Sequence, residues 1–240
     1  MCNEIINIFN KYDTDMIMFG YEILSRNEER LPGFKCGLSK NMRNDILESE
    51  MPNTRNDFSF SWRFALKKEF IEQKSLLFNK DIKVGEDYIF NISCMLEAKS
   101  VYILHKSLYV YNDLNTDSIM RKKYKRDFHR NLDIQYKEKL RIINKYKLDN
   151  DYFIYDLYHY YIFNLIYISI KNIFAGPKKE RYQQLKELLN TQMCIDSYKY
   201  FNIKKLYKSS DNFIFFIFLC LCKYKIYTLA NIFCMYFYSN

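Results

Sequence analysis

The second half of the sequence carries the pattern that most restricts the fold. From Arg121 onward, apolar residues recur every three or four positions, which is the period of an amphipathic helix. The clearest stripe consists of Tyr124, Phe128, Leu132, Tyr136, Leu140 and Ile143. Further helices are predicted over 152–174, 178–190 and 211–238; Ala175-Gly176-Pro177 ends the first of them, and Asp211 can cap the last. We therefore expect residues 121–240 to be all-helical.

The first half mixes two periods. It predicts a helix over 2–12 and a strand over 15–24, then a long polar excursion over 25–60 with one short helix near 41–49. A helix is predicted around 64–73 and another over 86–99. Two alternating stretches, SVYILH and SLYVYN, follow as strands. The fold class expected for residues 1–120 is therefore α/β, with a helical region over 121–240.

The charge of the chain is unevenly placed. The net charge is +9, but residues 1–120 carry a formal charge of −3 and residues 121–240 carry +12. A basic half of this kind indicates an acidic partner, either nucleic acid or an anionic membrane surface. The seven cysteines form no CxxC pair, which favours a reducing, cytoplasmic compartment. The acidic Glu4 and the lack of a long apolar core near Met1 indicate no signal peptide.

The segment 211–238 has two possible placements. Its apolar run FIFFIFLCLC is ten residues long, about half of what a bilayer span requires, and Lys223 and Lys225 follow it. The segment is therefore expected either to pack against the stripes of 121–148 and 152–174 as core, or to lie on an anionic membrane without crossing it.

The stretch KVGEDYIFNI places two carboxylates side by side at the start of a predicted helix. Acidic residues are favoured in the first turn of a helix, so Glu86 and Asp87 have a structural explanation on their own. The residues on both sides suggest a second one.

The order of motifs around this stretch resembles the acceptor-side half of family 2 glycosyltransferases of the GT-A type, which build bacterial capsule and other surface polysaccharides. These enzymes show a Trp before a basic, hydrophobic helix, an "F…GED..F" segment, a helix ending near "Ak", a strand, and "Y.Y….S". The matching residues here are Trp62, Lys67, Lys68, Phe78, Gly85-Glu86-Asp87, Phe90, Ala98-Lys99, Tyr109, Tyr111 and Ser118. Residues 1–24 fit the helix and strand that follow the donor site.

The resemblance implies a chemistry for the carboxylate pair. An inverting transferase removes a proton from the acceptor hydroxyl as that oxygen attacks the anomeric carbon, and a like-charged neighbour raises the proton affinity of a carboxylate. By resemblance, Asp87 is the catalytic base and Glu86 supports it or contacts the acceptor. Trp62 either lines a sugar platform or is a core residue. Tyr109, Tyr111 and Ser118 are the further substrate-binding residues.

The resemblance also implies a missing part. The nucleotide-binding half of the family, with the aspartates that hold a divalent Mn²⁺ or Mg²⁺ on the diphosphate, has no counterpart in residues 1–240. Asp13-Thr14-Asp15 spells DxD but precedes its strand, so no metal ligand is assigned in this chain. Arg63-Phe64 also departs from the "WnK" of many relatives. The expected partners are a nucleotide-sugar donor, a saccharide or lipid-linked acceptor, a second chain that supplies the donor half, and an anionic membrane, but not nucleic acid.

A second class of function stays open. A non-enzymatic basic helical protein could use the +12 half to bind an anionic membrane or nucleic acid. The DNA upstream of the start codon distinguishes the two classes, because an in-frame or frame-shifted remnant that encodes a donor half would indicate a glycosyltransferase origin.

Overall fold

The computed structural model of the chain describes residues 1–114, 124–210 and 213–238, in two compact units. The first unit comprises Met1–Ser118 and Glu138–Asp156, and the second comprises Ile119–Lys137 and Leu157–Asn240. The chain thus leaves the first unit near residue 118 and returns to it at residue 138. The assignment of separate functions to 1–120 and 121–240 stays a prediction.

The first unit is built on a mixed sheet. The strands are β1 Met16–Ile23, β2 Glu28–Arg30, β3 Gly37–Ser39, β4 Phe64–Leu66 and β5 Val101–Tyr111. The order is β2-β1-β5-β3. Strand β4 pairs with the first residues of β1, Met16–Met18, whereas β2 pairs with its last residues, Tyr21–Ile23. Strands β1 and β5 are parallel, and the other pairs are antiparallel. Strand β1 is central because it is the most apolar strand; Met16–Tyr21 are all buried.

Irregular pairing interrupts the sheet at Gly20. The register between β1 and β5 shifts on both sides of this residue. A Cβ atom at Gly20 would lie 2.7 Å from Leu31 Cδ2 and 3.0 Å from the Arg30 carbonyl oxygen. The absence of a side chain therefore permits the close approach of β2.

Helices cover the sheet and complete the first unit. They are α1 Cys2–Lys11, α2 Met42–Glu48, α3 Lys68–Gln73, α4 Glu86–Glu97 and the second part of α5 Phe128–Tyr146. Ile8 of α1 packs on Ile17 and Phe19 of β1. In α4, the buried residues run continuously from Tyr88 to Ile92 and include Cys94 and Met95. This helix is therefore largely enclosed, whereas Glu86 and Asp87 at its start are only half-buried.

The second unit is helical. It contains the first part of α5 and most of the chain from α6 Asp151–Tyr160 onward, which passes through a π-helical turn at Tyr161–Ile166 into α7 Tyr167–Ala175. The remaining helices are α8 Arg181–Leu189, α9 Gln192–Tyr200, α10 Ile203–Ser209, α11 Phe213–Lys223 and α12 Tyr227–Tyr238. None of the helices in the described ranges has the length and hydropathy needed to cross a bilayer.

In its coarse form, the fold class predicted from the sequence agrees with the structure. A mixed α/β N-terminal region followed by a largely helical region is confirmed. The helix predicted over 64–73 is wrong in its first part, because Phe64–Leu66 pairs with β1 as a strand and the helix begins at Lys68. The two strands predicted between Ser100 and Asn112 are one strand, β5.

The predicted C-terminal helix is also corrected. Residues 211–238 contain two helices, α11 and α12, separated at Tyr224–Ile226, and Lys225 has a left-handed φ of 56°. The proposed cap Asp211 lies outside the described residues. The apolar stripe predicted from Tyr124 to Ile143 is corrected at two positions. Tyr124 precedes α5, which begins at Phe128, and Leu140 is only half-buried.

Candidate functional site

Five aromatic rings meet at one end of the first unit. We call Tyr21, Phe60, Trp62, Tyr109 and Tyr111 the aromatic cluster. Tyr109 and Tyr111 are two residues apart on β5 and so share a face of the sheet, and Tyr21 of β1 is the register partner of Tyr109. Phe60 and Trp62 come from the segment that leads into β4. The structure therefore brings together three of the substrate-binding residues predicted from the sequence.

Trp62 is the centre of the aromatic cluster. Its ring centroid lies 4.5 Å from that of Tyr109 and 5.4 Å from that of Tyr111, with interplanar angles of 20° and 12°. The Phe60 ring stacks on it at 5.1 Å, and the Tyr21 ring meets it edge-on at 4.7 Å. All but Tyr21 are half-buried. The four half-buried rings thus remain partly accessible to solvent, and an aromatic ring is the kind of surface that suits the C–H face of a pyranose.

Phe60 holds an unusual backbone conformation at this cluster. Its φ of 69° and ψ of 86° lie in the left-handed region, where a bulky side chain costs of order 1–3 kcal/mol. This conformation directs the chain into the 3-10 turn Ser61–Arg63, so that Phe60 and Trp62 both stack in the cluster while Ser61 points elsewhere. The sequence contains no signal for it.

Ser61 connects the aromatic cluster to Asp87. Its Oγ lies 2.8 Å from Asp87 Oδ1 and 3.2 Å from Asn91 Oδ1. The Asn91 amide nitrogen donates to the Phe58 carbonyl oxygen at 2.9 Å, which turns its oxygen toward Ser61. Asp87 Oδ2 has no hydrogen-bond donor or cation within the described part of the chain. One oxygen of this half-buried carboxylate is therefore held in place and the other is available.

The start of α4 places the two acids as the sequence indicated. Gly85 precedes the helix with a φ of 76°, a conformation that favours glycine, and Glu86 and Asp87 occupy the first turn. The Glu86 carboxylate is half-buried and makes no hydrogen bond or ion pair with the residues that the structure describes. Ser118, the remaining predicted site residue, lies outside the described residues.

A buried arginine lies directly behind the aromatic cluster. Arg63 is 2% exposed; its Nε donates to the Phe19 carbonyl oxygen at 3.2 Å, and its guanidinium lies 5.4 Å from the centre of the Tyr21 ring. Strand β1 is paired with β4 up to Met18 and with β2 from Tyr21, so the Phe19 carbonyl lies in the gap between them. Arg63 fills this gap.

Asp57 is the charged neighbour of this arginine. Its carboxylate is buried, lies 3.8 Å from Arg63 Nη1 and accepts hydrogen bonds from Arg55 at 2.7 and 3.0 Å. Desolvation lowers the pKa of Arg63, and Asp57 opposes that effect. In the sequence, Arg63 stands out only as a departure from the "WnK" of relatives, and no local signal indicates its buried contacts with Phe19 and Asp57.

A second buried network holds α4 from its other side. The Tyr88 hydroxyl lies 2.5 Å from Asn53 Oδ1, and Asp156 accepts hydrogen bonds from the backbone and side chains of Asn53 and Thr54 at 2.5–3.1 Å. Lys139 Nζ lies 3.6 Å from the centre of the Tyr88 ring. Because Tyr88 follows Asp87, this network fixes the helix turn that carries the candidate base.

The DxD sequence near the N-terminus has structural contacts. Asp15 Oδ2 accepts the Lys99 backbone N–H at 2.8 Å, while the exposed Asp13 carboxylate lies 3.5 Å from Lys67 Nζ. Within the described ranges, no group of three His, Cys, Asp or Glu side chains is arranged to hold a metal ion. These residues do not fit the divalent ion of the glycosyltransferase family, and we derive no step through it.

Comparison with known proteins finds a similarity to a glycosyltransferase. No protein-family model matches the sequence. The chain is 28% identical over 178 residues to an uncharacterized glycosyltransferase, EpsJ, of Bacillus subtilis (strain 168), over 72% of this chain and 50% of that protein. The chain therefore spans about half the length of the curated relative that it matches. Its resemblance to a bacterial glycosyltransferase is confirmed.

Proposed function

We propose that this chain is the acceptor-side half of a family 2 glycosyltransferase with a GT-A-like fold, and that it acts in the synthesis of a surface polysaccharide. The observation that carries the proposal is the link between Asp87 and the aromatic cluster through Ser61. A proton acceptor and a sugar platform are the two elements that an acceptor site needs. The similarity to EpsJ supports the class of reaction.

In this mechanism the acceptor sugar stacks on the aromatic cluster, and one of its hydroxyl groups lies next to Asp87 Oδ2. Ser61 fixes Oδ1, so the carboxylate keeps one orientation. As the acceptor oxygen attacks the anomeric carbon of the donor, the new C–O bond forms and the bond to the nucleotide diphosphate breaks. The proton of the hydroxyl passes to Asp87, and the configuration at the anomeric carbon inverts. Glu86 contacts the acceptor from the same helix turn.

The donor site belongs to a part of the enzyme that residues 1–240 do not contain. We propose that a nucleotide-binding segment, in a longer form of this polypeptide or in a second chain, supplies the metal ligands and the nucleotide sugar. Strand β4 offers a place for it: β4 pairs with β1 on one side, and no strand within the described ranges occupies its other edge. The acceptor is a saccharide or a lipid-linked saccharide, and the reaction is placed in the cytoplasm, at the inner face of the membrane.

The test compares two aspartates that lie six residues apart. Extract from a strain of the source organism in which only the codons for residues 1–240 are deleted in frame supplies the acceptor and the donor-binding segment, whether this polypeptide or a second chain carries that segment. Purified chain is added with labelled nucleotide sugars, and incorporation into polysaccharide is measured. We expect Asp87→Asn to lower the rate on the order of 10²-fold or more, because the amide keeps the shape but accepts no proton. Asp81→Asn, in the exposed loop before α4, is the control and should leave the rate unchanged.

Two results would count against the proposal. Unchanged incorporation with Asp87→Asn would return Glu86 and Asp87 to the role of helix-start acids. Unchanged incorporation when the chain is omitted altogether would favour the alternative, a non-enzymatic basic helical protein that binds an anionic membrane or nucleic acid.

A further inference from the structure

The second unit contains a cavity of about 350 Å³ that the proposed reaction does not use. Helices α8, α9 and α11 and the turn after α11 form its walls. The lining residues are Leu189, Cys194, Ile195, Tyr198, Lys199, Cys222, Lys223, Tyr224 and Lys225. The volume is within the range of about 300–1,000 Å³ that is typical of small-molecule sites. The lining combines an apolar wall with three lysines and contains no carboxylate.

The three lysines are positioned without acidic partners. Lys223 Nζ donates to the backbone carbonyl oxygen of Phe201 at 3.1 Å and to that of Tyr198. Lys225 Nζ donates to Asn190 Oδ1 at 2.7 Å, and Lys199 is exposed. None of the three forms an ion pair with a carboxylate within the described part of the chain. Three uncompensated positive charges therefore border one cavity, and they favour an anion there.

A buried hydroxyl group adds a second polar feature. Tyr198 is 6% exposed and lines the same cavity. Its hydroxyl lies beside the Cys222 thiol and has no nitrogen or oxygen partner among the residues that the structure describes. A buried hydroxyl without such a partner costs about 1–3 kcal/mol. The hydroxyl oxygen is enclosed by protein atoms, so the lysines and the apolar wall are the groups that a ligand in the cavity would contact.

The apolar part of the cavity continues onto an exposed apolar rim. At its edge, Ile195 is 41% and Tyr224 is 55% exposed, and Ile226, the next residue after Lys225, is 42% exposed. On α12, Leu229 and Ile232 are also exposed. Large apolar side chains that alternate with lysines around a turn are typical of a segment that enters the headgroup boundary of a membrane.

We propose that this cavity binds one anionic lipid, with the phosphate beside Lys199 and Lys225 and the first part of the acyl chain along the wall formed by Leu189, Cys194 and Ile195. The apolar wall distinguishes a lipid from free phosphate, which would gain nothing from it. The wall formed by Leu189, Cys194 and Ile195 also favours a lipid over nucleic acid, because it contains no aromatic ring on which a base can stack. This inference does not depend on the proposed transfer reaction, because the cavity and its lysines lie wholly within the second unit.

The test uses a soluble amphiphile and a pair of matched variants. Dodecyl phosphate, below its micelle concentration, is titrated into the full chain in a calorimeter; dodecyl maltoside provides the same alkyl chain without charge, and inorganic phosphate provides the charge without the alkyl chain. We expect dodecyl phosphate to bind, and we expect no binding of dodecyl maltoside or of inorganic phosphate. Lys199→Gln with Lys225→Gln should weaken the binding about 25-fold, the equivalent of about 1 kcal/mol for each lysine.

The control removes the same charge elsewhere in the second unit. Lys178 and Lys179 are exposed and lie outside the cavity, so Lys178→Gln with Lys179→Gln should leave the binding unchanged. Circular dichroism shows that both double variants are folded; should the cavity pair misfold, Lys199→Gln alone replaces it, with an expected loss of about fivefold. Flotation with vesicles should follow the same order, with binding to phosphatidylglycerol-containing vesicles and not to phosphatidylcholine alone.

Three results would overturn the proposal. Equal weakening in both pairs of variants would show that only the overall charge of the second unit matters. Equal binding of dodecyl maltoside would show a site for alkyl chains without selectivity for an anion. Failure of dodecyl phosphate to bind at all would leave the cavity without this ligand.

Discussion

Replacing Lys139 by methionine should stabilise the first unit and remove most of the pH dependence of its stability above neutral pH. Lys139 is only 2% exposed, and its ammonium group packs on the Tyr88 ring. Desolvation lowers its pKa to about 7, while the Asp156 carboxylate opposes the shift. A buried lysine of this kind is charged only at a considerable free-energy cost.

The sign and size of the effect follow from the two pKa values. The unfolded chain has a lysine pKa of 10.5 and the folded chain one of about 7, so between these values the unfolded chain binds the additional proton. The free energy of unfolding therefore rises as the pH increases from 7 to 10.5. A pKa difference of one is equivalent to about 1.4 kcal/mol, so this group contributes a rise of up to about 5 kcal/mol across that window.

Methionine is the appropriate replacement because it keeps the length of the side chain and removes the charge. Asp156 does not become an isolated charge in the variant, since Asn53 and Thr54 still donate four hydrogen bonds to it. We expect Lys139→Met to raise the free energy of unfolding at pH 6.5 by about 1–4 kcal/mol. Lys147→Met, an exposed change in the same unit just after this helix, should alter it by less than about 0.5 kcal/mol.

The measurement is urea unfolding at pH 6.5, 8 and 9.5, followed by tryptophan fluorescence. Trp62 is the single tryptophan of the chain and belongs to the same unit as Lys139, so the signal reports on that unit. The reasoning is refuted if the wild type and Lys139→Met show the same change in stability between pH 6.5 and 9.5, or if the variant is the less stable of the two at pH 6.5.

Three further predictions concern the donor, an ion-pair network and the sheet. The purified chain should give no metal-dependent heat of binding with UDP and Mn²⁺ if the donor site lies outside residues 1–240, as we propose; a micromolar signal would contradict this. Hydrogen bonds from Lys145, Tyr146 and Lys74 lower the pKa of Glu97 to about 2. The network therefore contributes stability that is present above pH 4.5 and is lost as the pH falls toward 2. Glu97→Gln should remove this acid dependence in a pH series of thermal unfolding. Because the lysines of the network are partly exposed, the variant should lose only about 1 kcal/mol of stability at pH 7. Gly20→Ala should destabilise the sheet by about 1–3 kcal/mol in urea unfolding, because its Cβ meets Leu31 and the Arg30 carbonyl; an unchanged midpoint would show that β2 moves away freely.

The sequence predicted those elements that carry their own local signals. Helix α1, strand β1 and helix α4 begin and end within about two residues of their predicted bounds, because apolar periodicity and the glycine before α4 define them. Strand β4 was missed because Phe64–Leu66 has no alternating pattern and becomes a strand only by pairing with β1. The stacking of Trp62 on Tyr109 and Tyr111 agrees with the family resemblance, although their role in substrate binding stays a prediction.

The buried positions of Lys139 and Asp156 are indicated by their spacing in the sequence. Lys139 is three residues after Tyr136 and four before Ile143, and these spacings place it on the apolar stripe of α5. Asp156 likewise interrupts an apolar run. A polar residue at a stripe position is buried, and burial requires partners. Here the carboxylate meets Asn53 and Thr54, the ammonium group meets Tyr88, and Tyr88 in turn meets Asn53. The returning segment 138–156 therefore supports the first turn of α4, which bears Asp87. A cut of the chain near residue 120, where the sequence alone suggested a domain boundary, would remove this support from the candidate base while leaving every predicted site residue in place.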